Sequence, residues 1–178
     1  LEDKLIEGHE PNPELHYVVG FSGGKDSVAT WLFLTRELKL PHVTCLFCDT
    51  GHESPILHEY LDMLDREHGL NLVRLKPRLV DFVGELVPEK ICDRLGLDVN
   101  GPWRDEVLDM ERLAILKRRF PSSMARFCTD ILKIRPSARW MRENCDDNTI
   151  RVSGMRAQES PRRAARSPFE FDDSTGKM

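Results

Sequence analysis

No stretch of this chain is long and apolar enough to cross a bilayer. The longest apolar run, Val28 to Leu34, is broken by Thr30, and a span needs about 20 apolar residues. A strong charge of one sign is missing too: the net charge is −4 and the pI about 5.9, so no global field draws the chain to nucleic acid or to a membrane. Cysteines number five (Cys45, Cys48, Cys92, Cys128 and Cys145). An odd, scattered set inside periodic segments argues for reduced thiols rather than a disulfide framework. No charged-then-apolar leader with a small-residue cleavage site is visible. Together these absences predict a cytoplasmic protein with no membrane association. Internal repeats and a convincing domain boundary are also lacking, and 178 residues at 40% apolar and 31% charged suit one domain with a real core.

The segment that is most informative runs from His16 to Ser27, His-Tyr-Val-Val-Gly-Phe-Ser-Gly-Gly-Lys-Asp-Ser. It reads as a buried strand (residues 17–21), a glycine-rich turn and a helix over 26–40. Such a junction offers backbone N–H groups and the positive end of a helix to an anion. Gly23 and Gly24 are expected to take backbone angles closed to other residues, curling consecutive amides into a phosphate nest. Lys25 adds a mobile charge, and Ser22 and Ser27 add hydroxyl donors. The spacing differs from the common nucleotide P-loop, which has four residues between its glycines and a Ser or Thr directly after its lysine. Here Asp26 follows Lys25.

Pro41 ends the first helix, and residues 42–48 read as a second strand. Ser54 as an N-cap with Pro55 behind it starts a helix that runs to His68, and 70–75 is a third strand. This alternation predicts an α/β fold, a doubly wound and mainly parallel sheet with helices on both faces. Farther on, 79–95 holds one or two short helices, 104–120 reads as a strong amphipathic helix, 129–144 as another helix, and 148–154 as a strand. The organisation expected is an N-terminal extension (1–15), a nucleotide-binding domain (16–160) and a mobile basic and polar tail (161–178).

Three more constellations carry chemistry. Asp49-Thr50-Gly51 follows the second strand, where ligands of open parallel sheets gather. The crevice is expected where the first and second strands lie side by side, and a plain turn or helix cap suits the same residues. Lys133 and Arg135 sit near the front of a helix, where side-chain cations oppose the dipole unless they serve an anion; a solvated charged face is the alternative. Cys128 beside them is either an activated thiol or a small core residue. From Arg151 to Arg166 there are five arginines against one acid, Glu159. Arg156 and Arg163 are the candidates for bidentate bonds to phosphate, with a solvated basic loop as the alternative.

Ser22–Ser27 resembles the pyrophosphate-loop signature of the adenine-nucleotide alpha-hydrolase, or ATP pyrophosphatase, superfamily. Asp49-Thr50-Gly51, Cys128 with Lys133-Ile-Arg-Pro136, and Gly154-Met-Arg156-Ala-Gln-Glu159-Ser160-Pro-Arg-Arg163 resemble, in the same order, motifs of its phosphoadenylylsulfate reductase family. The resemblance covers nearly the whole chain and implies a Rossmann-like fold. It implies that Ser22, Gly23, Gly24, Lys25, Asp26, Ser27, Asp49, Thr50, Gly154, Arg156 and Arg163 bind an adenine nucleotide. Lys25, Asp26, Lys133 and Arg156 would be catalytic, with Mg2+ held by Asp26 and Asp49. Cluster-bearing relatives carry a Cys-Cys pair before the lysine; Thr129 replaces the second cysteine here, which puts an iron–sulfur cluster in doubt because thiolate ligands come in fours.

The leading expectation is an ATP pyrophosphatase that adenylylates an acceptor for sulfur incorporation, as in DNA phosphorothioation, with a cysteine desulfurase or other sulfur donor as partner and DNA contacts through Arg151–Arg166. One alternative is a sulfonucleotide reductase whose catalytic cysteine tail lies outside this sequence. Another is a non-catalytic nucleotide-binding scaffold for a sulfur-carrying partner.

Overall fold

In a computed structural model that describes residues 11–154, four short strands form one sheet. They are β1 (His16–Gly20), β2 (Val43–Cys48), β3 (Leu72–Leu75) and β4 (Thr149–Val152), in spatial order β3-β2-β1-β4. Every pairing is parallel, with Val18 opposite Thr44 and Arg151, and Leu46 opposite Val73. β-branched and aromatic residues fill the two central strands, whose near-continuous burial is what a sheet covered on both faces requires.

One face carries Tyr17, Val19, Phe21, Cys45 and Phe47. Against it pack Trp31 of α1 (Lys25–Leu32), Leu34 of the π turn that prolongs α1 (Phe33–Glu37), and Leu61 and Leu64 of α2 (Pro55–His68). Val18, Leu46 and Leu75 alternate to the other face and meet Trp140 and Met141. A second core lies beyond β3. It gathers Leu79 and Phe82 of a 3-10 turn (Leu79–Phe82), Ile91 of α3 (Pro88–Leu95), and Leu113 and Leu116 of α4 (Met110–Lys117). Ile131 and Leu132 of the helical run from Phe127 to Asn144 complete it. That run comprises α5 (Phe127–Thr129), a π turn (Asp130–Ile134) and α6 (Arg135–Asn144). Pro136 has no N–H to give the preceding turn, and the wider spacing, with the Arg135 amide bonded to the Asp130 carbonyl, takes up the defect.

The amphipathic helix expected over 104–120 is shorter. Trp103–Asp105 makes a 3-10 turn, and the chain then extends alongside the exit of β3. The Leu108 amide reaches the Pro77 carbonyl at 2.8 Å and the Leu79 amide the Glu106 carbonyl at 2.9 Å. Asp109 then caps α4, accepting from the Arg112 amide at 2.8 Å, the bond that makes Asp a strong helix starter. Ser54 does stand before α2, yet its side chain makes no capping bond. No described helix is long and apolar enough to cross a membrane.

Candidate nucleotide site

All four strands run the same way, so their carboxyl ends open on one edge. The chain leaves β1 toward β2 on one side, and β4 lies on β1's other side. The strand order therefore turns around between β1 and β4, where a crevice forms in open parallel sheets. This corrects the expectation of a crevice between the first and second strands. The Ser22–Ser27 loop and Gly154 flank the crevice, and Asp49 sits one strand away.

The loop is internally latched. Ser27 is 6% exposed; its hydroxyl donates to the Gly24 carbonyl at 2.9 Å and accepts from the Ser22 amide at 3.2 Å. With that hydrogen committed, the Ser22 hydroxyl is the donor in the 3.3 Å contact with Ser27, and it accepts from the Gly24 amide at 3.3 Å. The two serines thus hold the loop's shape. Gly23 lies at φ +72°, the left-handed region that favours glycine, and a Cβ there would sit 2.7 Å from Leu57 Cδ1 of α2. Gly24, contrary to expectation, is extended at φ −75°, ψ 159°, open to any residue. The Lys25 amide opens α1 and has no helical acceptor, and its side chain is exposed. Asp26 is half-buried in the first turn.

Gly154 is where β4's exit touches α1. A Cβ there would press on the Asp26 carbonyl at 2.9 Å and on the Thr30 hydroxyl, which itself donates to that carbonyl at 2.8 Å. A missing side chain brings the end of β4 onto the first turn of the helix that follows the loop. Arg156, Arg163 and the tail 161–178 lie outside the described residues, as does most of the N-terminal extension.

Beyond β2, Asp49 Oδ1 accepts from the Gly51 amide at 3.0 Å. Thr50 is 5% exposed, and Glu53 holds it with both oxygens. The Thr50 amide donates to Oε2 at 2.9 Å, the Thr50 hydroxyl to Oε1 at 2.8 Å, and the His52 amide to Oε2 at 3.2 Å. Thr50 in turn accepts from the Met110 amide at 3.0 Å. Its hydroxyl hydrogen is spent, so this turn is a rigid mount for Asp49. Sequence reasoning passed over Glu53, three residues after Thr50, the spacing of a side chain that closes a turn.

Lys133 is exposed, and its carbonyl meets the Cys48 thiol at 3.6 Å, so the π turn abuts the end of β2. Burial pushes the Cys48 thiol up, partly opposed by its Ser137 hydrogen bond and the charges of Lys133 and Arg151. Arg135 does not serve an anion. Asp130 takes its Nε and Nη2 at 3.0 and 2.8 Å, Glu85 takes Nη2 at 2.6 Å, and the Asp81 carbonyl takes Nη1 at 3.1 Å. Cys128 packs against the second core, whereas Cys48 is the thiol at the sheet's open edge. Lys76, directly after β3, is an exposed cation on that edge which the motifs did not flag. A cavity of about 450 Å³ lies between the 3-10 turn and α6, lined by Asp81, Arg135 and Arg139 and by none of the loop residues. Ion pairs with acids already neutralise both arginines.

Among the described residues no three of His, Cys, Asp and Glu converge as metal ligands. Asp26 and Asp49 offer one carboxylate each, which fits a magnesium ion that keeps its waters and leans on substrate phosphates. Cys45 and Cys92, at 0% and 2% exposure, are locked in separate cores, and such thiols do not fit a shared four-thiolate cluster.

Over residues 16–178 the chain matches the phosphoadenosine phosphosulfate reductase domain. It is 35% identical over 178 residues to an uncharacterised 37.8 kDa protein of Escherichia phage 186, covering 87% of this chain and 52% of that protein. An uncharacterised protein of Methanocaldococcus jannaschii is 29% identical over 149 residues, covering 84% of this chain and 24% of that protein. The chain thus spans about half the length of one relative and a quarter of the other. A phosphate-sized loop at the turning point of a parallel sheet, with the match over nearly its whole described length, makes this chain a member of the phosphoadenosine phosphosulfate reductase domain family.

Proposed function

We propose that the chain is an ATP pyrophosphatase that adenylylates an acceptor destined for sulfur incorporation. The observation that carries this reading is the latched Ser22–Ser27 loop at the turning point of the sheet, with Lys25 exposed above it. An acceptor oxygen attacks the alpha-phosphorus in line. The new P–O bond forms as the bond to the beta-phosphate breaks, and its electron pair leaves on pyrophosphate. Little covalent work falls to the protein, which positions the phosphates and spreads their charge. Lys25 and the loop amides hold the beta and gamma phosphates, while Lys133 and Arg156 meet the charge growing on the alpha-phosphate. Bound magnesium, held by Asp26 and Asp49, supplies charge neutralisation across the phosphates. A cysteine desulfurase or similar donor would then deliver sulfur to the activated acceptor, with DNA as the acceptor class and Arg151–Arg166 as its contact.

Reduction of a sulfonucleotide to sulfite and adenosine bisphosphate is the second reading, favoured by the family's own description. Phosphate detection after pyrophosphatase treatment separates the two, with ATP alone in one arm and sulfonucleotide plus reduced thioredoxin in the other, where sulfite is measured. Pyrophosphate from ATP that Lys25→Ala and Asp26→Ala both abolish, with unchanged circular dichroism, supports the proposal. Wild-type turnover in either variant removes the loop from the chemistry.

A further inference from the structure

One surface has no part in either core or in the crevice. Between α4 and α5 the chain runs Arg118-Arg-Phe-Pro-Ser-Ser-Met-Ala-Arg126. Ser122 and Ala125 exchange backbone bonds at 3.3 and 3.1 Å, closing a tight hairpin with Ser123 and Met124 at its tip. Phe120 is 76% exposed and Met124 94%, the two most exposed large apolar side chains among the described residues. From Lys117 to Thr129 there are four cations and no acid, against a chain that is net negative. Lys117 is spent on Glu85 at 3.0 Å, and Arg119 lies 5.4 Å over the Phe127 ring. Arg118 and Arg126 are exposed with no partner among the described residues. Arg118 also sits at φ +54°, a left-handed conformation that a non-glycine residue adopts at a cost of about 1–3 kcal/mol.

We infer that this hairpin is a binding surface for single-stranded nucleic acid. Phe120 offers an unpacked ring to one base, Met124 extends the apolar platform, and Arg118 and Arg126 flank it to meet the phosphates on either side. Base–aromatic stacking with flanking cations is how single strands are held without sequence readout. Only two apolar side chains are available, too little area to anchor the chain in lipid, where lasting attachment takes a larger apolar face or a second signal. The inference does not depend on the nucleotide chemistry proposed above.

Fluorescence anisotropy with labelled oligothymidylate and oligouridylate tests it, the two arms telling DNA from RNA. A duplex of equal length and phosphatidylserine vesicles run in parallel. The expected result is binding to at least one single strand, weaker binding to the duplex, and a log–log salt slope of about −1.4 to −2 for two or three phosphate contacts. Phe120→Ala, an exposed site whose truncation spares the core, should weaken binding roughly 5- to 150-fold. Arg118→Gly, which relieves the backbone while removing the charge, and Arg126→Gln should each flatten the salt slope. No binding, binding to vesicles instead, equal binding to duplex, or binding that survives all three variants would each overturn the inference.

Discussion

Removing the Glu53 carboxylate should loosen the mount that holds Asp49. Glu53→Ala leaves the Thr50 amide and hydroxyl without acceptors at a residue 5% exposed, whereas the exposed His52 amide turns to water. Two buried donors stranded this way cost about 2–3 kcal/mol in all, allowing for partial relaxation. For a chain of this size that is a fall in Tm of about 4–12 °C. Glu53→Gln is the informative partner. Its carbonyl oxygen can accept from the two amides, and its NH2 can donate to the Thr50 hydroxyl, which is free to accept. Only charge assistance is lost, so Gln should cost about 1 kcal/mol or less. Thermal unfolding by circular dichroism reads both variants, and amide exchange at Thr50 reads the site. Should Ala melt within about 1 °C of wild type, or Gln cost as much as Ala, the account of this turn is wrong.

Two further outcomes follow from the geometry. Gly23→Ala forces a left-handed conformation and pushes on Leu57, costing about 1–2 kcal/mol, while Gly24→Ala, in an ordinary conformation, should stay within about 0.5 kcal/mol in urea titration; equal costs would refute the loop's shape. Burial and the Asp65 charge push the Cys45 thiol from 9.0 up to about 12, so it stays protonated in the fold while the unfolded chain loses that proton. Its share of stability is therefore intact below pH 9.0 and lost as pH climbs toward 12. Cys45→Ala should flatten that alkaline decline, and iodoacetamide at neutral pH should label Cys45 last; early labelling would contradict its burial.

Much of the fold was legible because its signals are local. Val18-Val19, Val43–Cys48 and Leu72–Leu75 are apolar runs between turns, and Gly69 stops α2 by its left-handed conformation at φ 66°. The Ser22–Ser27 loop was legible for the same reason, although only Gly23, not Gly24, needs to be glycine for conformational freedom. What stayed hidden depends on distant partners. Apolar spacing carried a helix through Val107 and Leu108, but those residues lie beside Pro77–Leu79, a pairing no local pattern encodes. Arg135 looked like a phosphate cation because Glu85, fifty positions away, was not in view. The crevice was misplaced by one strand because strand order is a property of the sheet, not of any segment. Glu53 lay within three residues of Thr50, yet which backbone donors its carboxylate meets follows from the turn's dihedrals rather than from residue type.

The arginines of α6 have a consequence for how this protein comes apart. Arg139 pairs with Asp81, 4% exposed at its side chain, and Arg135 grips the Asp81 carbonyl from the same helix. That helix also presents Trp140 and Met141 to the sheet. Opening the second core would therefore strand a buried carboxylate and two guanidinium groups on the sheet's own covering helix, a penalty of several kcal/mol. The two cores are thereby joined into a single cooperative unit. Amides of Leu46 in the sheet and Leu113 in α4 should exchange through one shared opening, with a common dependence on denaturant, instead of fraying separately.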